Sequence, residues 1–200
     1  MPILEHFDCL APHYERFIRP RLPQELMTLT TLPVEGALLD IGGGTGRVAQ
    51  FMAGHAQPVV VADLSLPMLA QAQRKDSLQP VAAQSERLPF ADGAFARIVM
   101  VDALHHVIDP RATAAELWRT LQPGGRIVIE EPDVRTVTVK LLALAEKLAL
   151  MRSHFLTPAQ IAALFDHPDA LVRTQATGFN AWVVVEKARD LRRAHTEDRM

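Results

Sequence analysis

The stretch Leu38-Leu39-Asp40-Ile41-Gly42-Gly43-Gly44-Thr45-Gly46-Arg47 is an apolar run that ends in an acid and breaks at once into glycine. Arg47-Val48-Ala49-Gln50-Phe51-Met52-Ala53 then carries apolar residues at helical spacing. This order predicts a strand, a glycine turn and a helix over 46–53. Glycine lets backbone pass close to a ligand and accepts positive φ. The N–H groups at a helix start favour anions. The turn therefore reads as a device for holding something small and polar against main chain.

The spacing of the glycines narrows the ligand. Dinucleotide enzymes usually carry G-x-G-x-x-G. Here Gly42, Gly44 and Gly46 give G-x-G-x-G, and Arg47 stands where the dinucleotide pattern wants glycine. Beyond the loop, the run Pro58-Val59-Val60-Val61-Ala62 ends in Asp63. An acid at that strand tip, about 20 residues past the glycines, suits two ribose hydroxyls. The competing structural reading makes the glycines a tight turn and Asp63 a strand end; the distance between them favours a nucleoside.

Bulk composition sets the frame. Two hundred residues with 48% hydrophobic content suffice for one domain with a full core. A net charge of −2 gives no strong field toward nucleic acid or anionic membrane. Arg189 to His195 is the one basic cluster, and a solvated tail accounts for it. The single cysteine, Cys9, has no internal partner, and no Cys/His spacing resembles a zinc site, so no metal is expected. The N-terminus lacks the charged-then-apolar order of a secretory signal. The longest apolar candidate, 137–151, is broken by Lys140, Glu146 and Lys147. The expectation is a cytoplasmic protein without membrane insertion.

Along the chain, Ile3, Leu4, Phe7, Leu10, Tyr14, Phe17 and Ile18 share a helical face, split at Pro12 and ended by Pro20 and Pro23. A short helix fits 24–31. Strands fit 37–41, 58–63, 80–84, 96–102 and 126–131, with helices at 46–53, 66–75 and 110–121 between them. Asp109-Pro110 is a cap followed by proline in the first turn, and Ser65 with Pro67 is similar. Pro123-Gly124-Gly125 reads as a stop before the next strand. Alternating β and α units imply a parallel sheet covered on both faces. Ligands then bind beyond the carboxyl ends of the strands, which nominates Asp40, Asp63, Gln84, the 102–106 turn and the acids from Glu130 to Asp133. Past a helix at 136–151 and a start at Thr157-Pro158, strands fit 171–178 and 181–187. So short a link demands a hairpin.

Six ordered segments resemble class I S-adenosylmethionine-dependent methyltransferases, the ubiquinone/menaquinone-biosynthesis-like (type 11) group in particular. Phe7–Tyr14 resembles the N-terminal helix of that family, Leu38–Gly46 its first motif and Val59–Ser65 its second. Gln84–Phe95 resembles its adenine loop, and Ala103–Pro110 with Leu121–Val128 complete the set. The resemblance covers roughly 7–187. It implies an α/β Rossmann-like, doubly wound, mostly parallel seven-stranded sheet ending in an antiparallel hairpin strand. The expected organisation is an N-terminal helical lid (1–32), a methyltransferase domain (33–188) and a tail (189–200). The implied cofactor is S-adenosyl-L-methionine. Asp40 and Gly42, Gly43, Gly44 and Thr45 would face its methionine end, Asp63 its ribose hydroxyls, and Leu64 its adenine. Gln84 and Ser85 would read the adenine edge; the family commonly has an acid at position 84. Val101 and Asp102 would approach the methionine amino group through backbone.

Methyl transfer mainly requires aligning acceptor, carbon and sulfur. A base is needed only for a poor nucleophile. The candidates are His105, His106, His154 and Tyr14; each has a plainer role, the first two as turn residues, His154 as a surface histidine and Tyr14 as part of an apolar stripe. The implied acceptor is a small molecule held by apolar segments flanking the cofactor loops. Against nucleic-acid substrates, Val101-Asp102-Ala103-Leu104 is not the Pro-Pro-aromatic motif of base amino methyltransferases, and Cys9 precedes the cofactor domain. A non-catalytic cofactor- or partner-binding protein with the same fold stays open. Glycine spacing and the terminal hairpin disfavour a nicotinamide oxidoreductase.

Overall fold

Val59-Val60-Val61-Ala62 is buried from end to end, as a strand covered on both faces must be. The structure, a computed structural model, describes residues 23–135 and 155–189. Its centre is a seven-stranded sheet: β1 (Leu38–Ile41), β2 (Val59–Asp63), β3 (Leu78–Ala82), β4 (Phe95–Val101), β5 (Leu121–Pro132), β6 (Ala170–Thr177) and β7 (Asn180–Lys187). The order is β3-β2-β1-β4-β5-β7-β6. The first five strands run parallel, and β7 is antiparallel to both β5 and β6. The expected doubly wound, mostly parallel sheet closed by a hairpin is the fold observed.

One core cluster packs Leu39, Ile41, Ile98 and Met100 against Ala114 and Leu117 of α3 (Pro110–Thr120) and Ile161 of α4 (Pro158–Ala162). The opposite face packs Leu38, Val61, Val99 and Val128 against Leu26 of α1 (Gln24–Thr30) and Leu69 of α2 (Leu66–Ala72). α1 is pinned by arginine to main chain: Arg97 Nε donates to Thr30 O at 2.7 Å and Arg126 to Leu29 O at 2.7 Å.

The helix starts form as read. Asp109 accepts from the N–H groups of Arg111 (2.9 Å) and Ala112 (3.1 Å), Ser65 accepts from Met68, and Thr157 with Gln160 makes a reciprocal capping box. Gly178 at φ +64 opens a two-residue turn joining β6 to β7.

Three elements differ from the sequence reading. Residues 46–53 form turns and a single 3-10 helix (Ala49–Phe51) rather than an α-helix, because Gly46 at φ +70 and Gly54 at φ +82 cannot lie within one. Pro123–Gly125 does not stop the chain before β5: that strand begins at Leu121, and the segment is looped out of register between the pairs Phe95–Leu121 and Arg97–Arg126. β3 lies two residues upstream of the strand read at 80–84, so Pro80 sits at its centre instead of its start. An edge strand tolerates proline because its outer side needs no donor, and β3 is the sheet edge.

Tyr14, His154, the helices read within 1–19 and the helix read over 136–151 lie outside the described residues, as does the tail from 190. No described helix is long and apolar enough to cross a membrane.

Candidate functional site

The chain winds outward from β1 in both directions, through β2 and β3 on one side and β4 and β5 on the other. The crevice of such a sheet opens at the carboxyl ends of the two strands where the order reverses, here β1 and β4. The glycine turn sits over it. Gly42 has φ +66, and a Cβ there would lie 2.6 Å from the Ala103 Cβ. Only glycine lets this turn rest on the turn after β4.

Gly44, at φ +55, donates its N–H to Asp63 Oδ2 at 2.9 Å. Asp63 Oδ1 accepts from Ser65 N–H at 2.8 Å. The acid nominated for a ribose is thus fixed in place by the loop it would share a ligand with. Leu64 and Leu66 follow it, 45% and 66% exposed.

Asp40 is 1% exposed, and among the described residues its Oδ2 has no hydrogen-bond partner. Burial pushes its carboxyl up to about 7, with Asp63 adding to the rise and Arg47 and the Ala49 N–H opposing it. A buried oxygen without a donor costs free energy unless a ligand or proton supplies one. The linkage sign follows. Below its ordinary value of 3.8, Asp40 is protonated in both folded and unfolded chains. Between 3.8 and about 7 the unfolded chain releases the proton and the fold keeps it, so stability falls as pH rises through this window. Glu130, raised by burial and by Asp102 to about 7, adds a parallel fall. Asp40→Asn is expected to gain about 3 kcal/mol on wild type between pH 5 and pH 8, at about 1.4 kcal/mol per pH unit up to the folded value of about 7. Chemical denaturation at the two pH values measures this; a constant gap between the proteins would refute it.

The turn after β4 carries Asp102 and the 3-10 helix Leu104–His106. Asp102 has φ +52 and donates its N–H to Glu130 O at 2.9 Å. Its carboxylate lies 3.7 Å from Arg47 Nη2. Burial raises its pKa, as does Glu131; Arg47 and His105 lower it. Below the turn, Glu131 is 3% exposed. Its Oε1 accepts from the N–H groups of Ala103 (3.0 Å) and Leu104 (2.7 Å), and its Oε2 lies 2.6 Å from His105 Nδ1. The His105 ring stacks on Phe155 at 4.7 Å. His106 is pushed down to about 4 by burial and by His105, so its imidazole is neutral at pH 7. Glu130 accepts from the Asn180 amide.

The remaining nominated residues are Gln84, Ser85, Thr45 and Val101. Gln84 is exposed and bridges to Arg87. The Ser85 hydroxyl lies 3.1 Å from Thr113 Oγ1 in α3. Thr45 is buried, and its carbonyl accepts from Lys75 at 2.6 Å. Val101 is half-buried and pairs with Glu130.

The structure therefore brings Asp40, the glycine turn, Asp63, Val101 and Asp102 to one crevice. Glu130, Glu131 and Asp133 are each buried and bonded, Asp133 to Arg135. Sequence reading missed two residues, Glu131 as a brace and Glu86, whose Oε1 accepts from the N–H groups of Ile108 and Asp109. A lone glutamate gives no sequence signal of a turn folded onto it.

Residues 39–129 match the family described as a methyltransferase domain. The demethylmenaquinone methyltransferase of Mycolicibacterium vanbaalenii is 38% identical over 145 residues, 72% of this chain and 60% of that protein. The chain thus spans about 60% of the length of that relative. Among solved structures, an S-adenosylmethionine-dependent methyltransferase of Thermotoga maritima aligns with TM-score 0.75 at 21% identity, covering 92% of this chain and all of that one. A chain from the complex of the Haloferax volcanii Trm112 activator with a methyltransferase aligns with TM-score 0.78 at 16% identity, covering 92% and 98%. At those identities the structures establish the fold.

Proposed function

Since residues 39–129 belong to the methyltransferase-domain family, we propose that this protein transfers a methyl group from S-adenosylmethionine to a small acceptor, a quinol-type ring. One observation carries the reading: Gly44 N–H bonded to Asp63 across the crevice, with the partnerless Asp40 oxygen beneath. The residues present fit the cofactor. Gly44 leaves room for close backbone approach, since a Cβ there would meet nothing nearer than 3.8 Å. Leu64 and Leu66 offer exposed apolar surface beside Asp63 for an adenine ring.

When bound, the cofactor supplies a methyl group on a sulfonium sulfur. The chain's own work is to bind and align. Asp63 would accept from ribose hydroxyls, Gln84 and Ser85 would meet the adenine edge, and Asp40 with Gly42–Thr45 would face the methionine end. Val101 and Asp102 would approach the amino group. Fixing reactants in line is most of what this reaction needs. His106 is in the neutral form that accepts a hydrogen bond, and its low pKa makes it a weak base at pH 7. Its part is to orient an acceptor hydroxyl. The quinol assignment is supported by the demethylmenaquinone methyltransferase relative. The proposal includes a cytoplasmic setting and no nucleic-acid partner, supported by the net charge of −2.

Calorimetry with S-adenosylmethionine, S-adenosylhomocysteine and NAD tests the cofactor, with binding expected for the first two. Adenosylhomocysteine formation on a panel of hydroquinones and amines tests the acceptor. Binding of NAD alone would overturn the reading. Cofactor binding with no turnover on any acceptor favours the second reading, a non-catalytic cofactor-binding protein, to which the uncharged Gln84 lends some weight.

A further inference from the structure

The two edges of the sheet are built differently. β3 is five residues long with Pro80 at its centre, a strand that does not recruit another. β6 is eight residues long, without proline or lysine, and its register with β7 runs unbroken from Ala170 to Thr177. Residues 173–179 are exposed. Among the described residues no strand pairs with the outer side of β6. Such an edge is a template for another strand.

The ladder says which groups this edge offers. Ala188 N–H donates to Asp169 O at 2.8 Å, so the pair one step beyond Ala170–Lys187 is hydrogen-bonded. Hydrogen-bonded and non-hydrogen-bonded pairs alternate along antiparallel strands. Arg173, Gln175 and Thr177 therefore turn their main-chain groups to β7, and Val172, Thr174 and Ala176 turn theirs outward.

The side chains say what fits there. Leu171 and Phe179 are 59% and 61% exposed, and each lies four residues from Gln175. An antiparallel strand of the same sequence, centred on Gln175, sets Leu171 of each copy against Phe179 of the other. Thr174 then exchanges N–H···O bonds with Ala176 of the other copy. Arg173, the one charged residue of β6, falls opposite Thr177 of the other copy and on the same face, with side chains about 5 Å apart. The Thr177 hydroxyl is bonded to Glu25 at 3.1 Å. The exposed Arg173 guanidinium thus comes to a carboxylate across the axis and stays clear of its own copy. Each contact occurs twice, as a twofold requires.

We propose that β6 is the interface of a homodimer, in which two copies pair antiparallel about a twofold axis at Gln175 and join their sheets into one. β5 and β7 separate this edge from β4, so the crevice stays open in the dimer. The interface is one strand wide, at the low end of specific contacts, and its dissociation constant is on the order of 10 µM.

Sedimentation of the full chain is the experiment. Between about 1 and about 100 µM, the wild-type chain is expected to pass from monomer to dimer mass. Over the same range the Thr174 and Ala176 amides slow in hydrogen exchange, while those of Arg173 and Gln175, already in the ladder, do not change. Thr174→Pro removes an outward N–H and leaves the bonds to β7 in place; Leu171→Asp removes the apolar contact. Each is expected to weaken dimerisation about tenfold or more. Thermal unfolding at the monomeric concentration checks that both variants fold, and Leu171→Asp, altered at an exposed site, decides the matter if the proline variant does not. A wild-type chain that stays monomeric across the range overturns the proposal. So does a dimer equally tight in Leu171→Asp, or one that leaves exchange at Thr174 and Ala176 unchanged, because it uses another surface.

Discussion

Asp63→Ala is expected to weaken S-adenosylhomocysteine binding about a hundredfold or more. The acid has two tasks on one side chain. Its bonds to Gly44 N–H and Ser65 N–H hold the glycine turn beside β2, and the same carboxylate is assigned the ribose hydroxyls. Hydrogen bonds to a charged group are worth about 1.5–3 kcal/mol each. Losing two to the ligand alone exceeds a hundredfold in affinity, and alanine also leaves Gly44, at φ +55, without the anchor that sets its backbone. Asp63→Asn should fall between, because one amide oxygen serves part of the carboxylate's role. Calorimetry gives the affinity, and thermal unfolding of the same proteins gives the loop's share. A lowered melting temperature with unchanged affinity would reduce Asp63 to a brace and move the ribose elsewhere.

Much of this was legible in the sequence because it depends on local chemistry. The apolar runs, the Asp109-Pro110 cap and the short link at 178–180 each specify one element, and their alternation specifies the sheet. Strand ends then name Asp40, Asp63 and Asp102 by topology alone. What failed was the reading of proline and glycine out of context. Hydrophobic spacing over 46–53 is helical, yet it carries no information about φ, and Gly46 and Gly54 hold the segment to one 3-10 turn. Pro80 reads as the first residue of a strand until β3 is known to be the edge, where proline is tolerated at the strand's centre. Pro123-Gly124-Gly125 looks like a boundary because a looped-out segment between paired residues has the composition of a turn. Side chains that act at long range left no trace either. Arg47 reads as the first residue of a helix, and only the register of β1 against β4 brings it to Asp102.

The same blindness to distant partners hid Glu131, whose replacement should have the largest effect on stability. Its carboxylate, 3% exposed, receives the N–H groups of Ala103 and Leu104 and faces His105 Nδ1 at 2.6 Å. These three donors belong to a turn that has just left β4 and begins a 3-10 helix, so its first N–H groups have no helical acceptor. Glu131→Ala leaves all of them short of a partner in a site closed to water, and breaking a buried charged cluster from one side costs about 3–5 kcal/mol. The loss would spread to the crevice, because Ala103 is the residue on which Gly42 rests. The glycine turn would lose its support along with the turn after β4. Glu131→Gln discriminates charge from geometry. Its amide oxygen can receive both backbone N–H groups, and its NH2 can donate to His105 Nδ1 once the imidazole proton moves to Nε2. The glutamine variant should therefore keep most of the stability that alanine loses, with the tautomer change visible in the His105 ring nitrogen shifts by NMR. Denaturant unfolding that places Glu131→Ala within about 1 kcal/mol of wild type, inside the range of ordinary substitutions, would show that the turn holds itself and that Glu131 is a passenger.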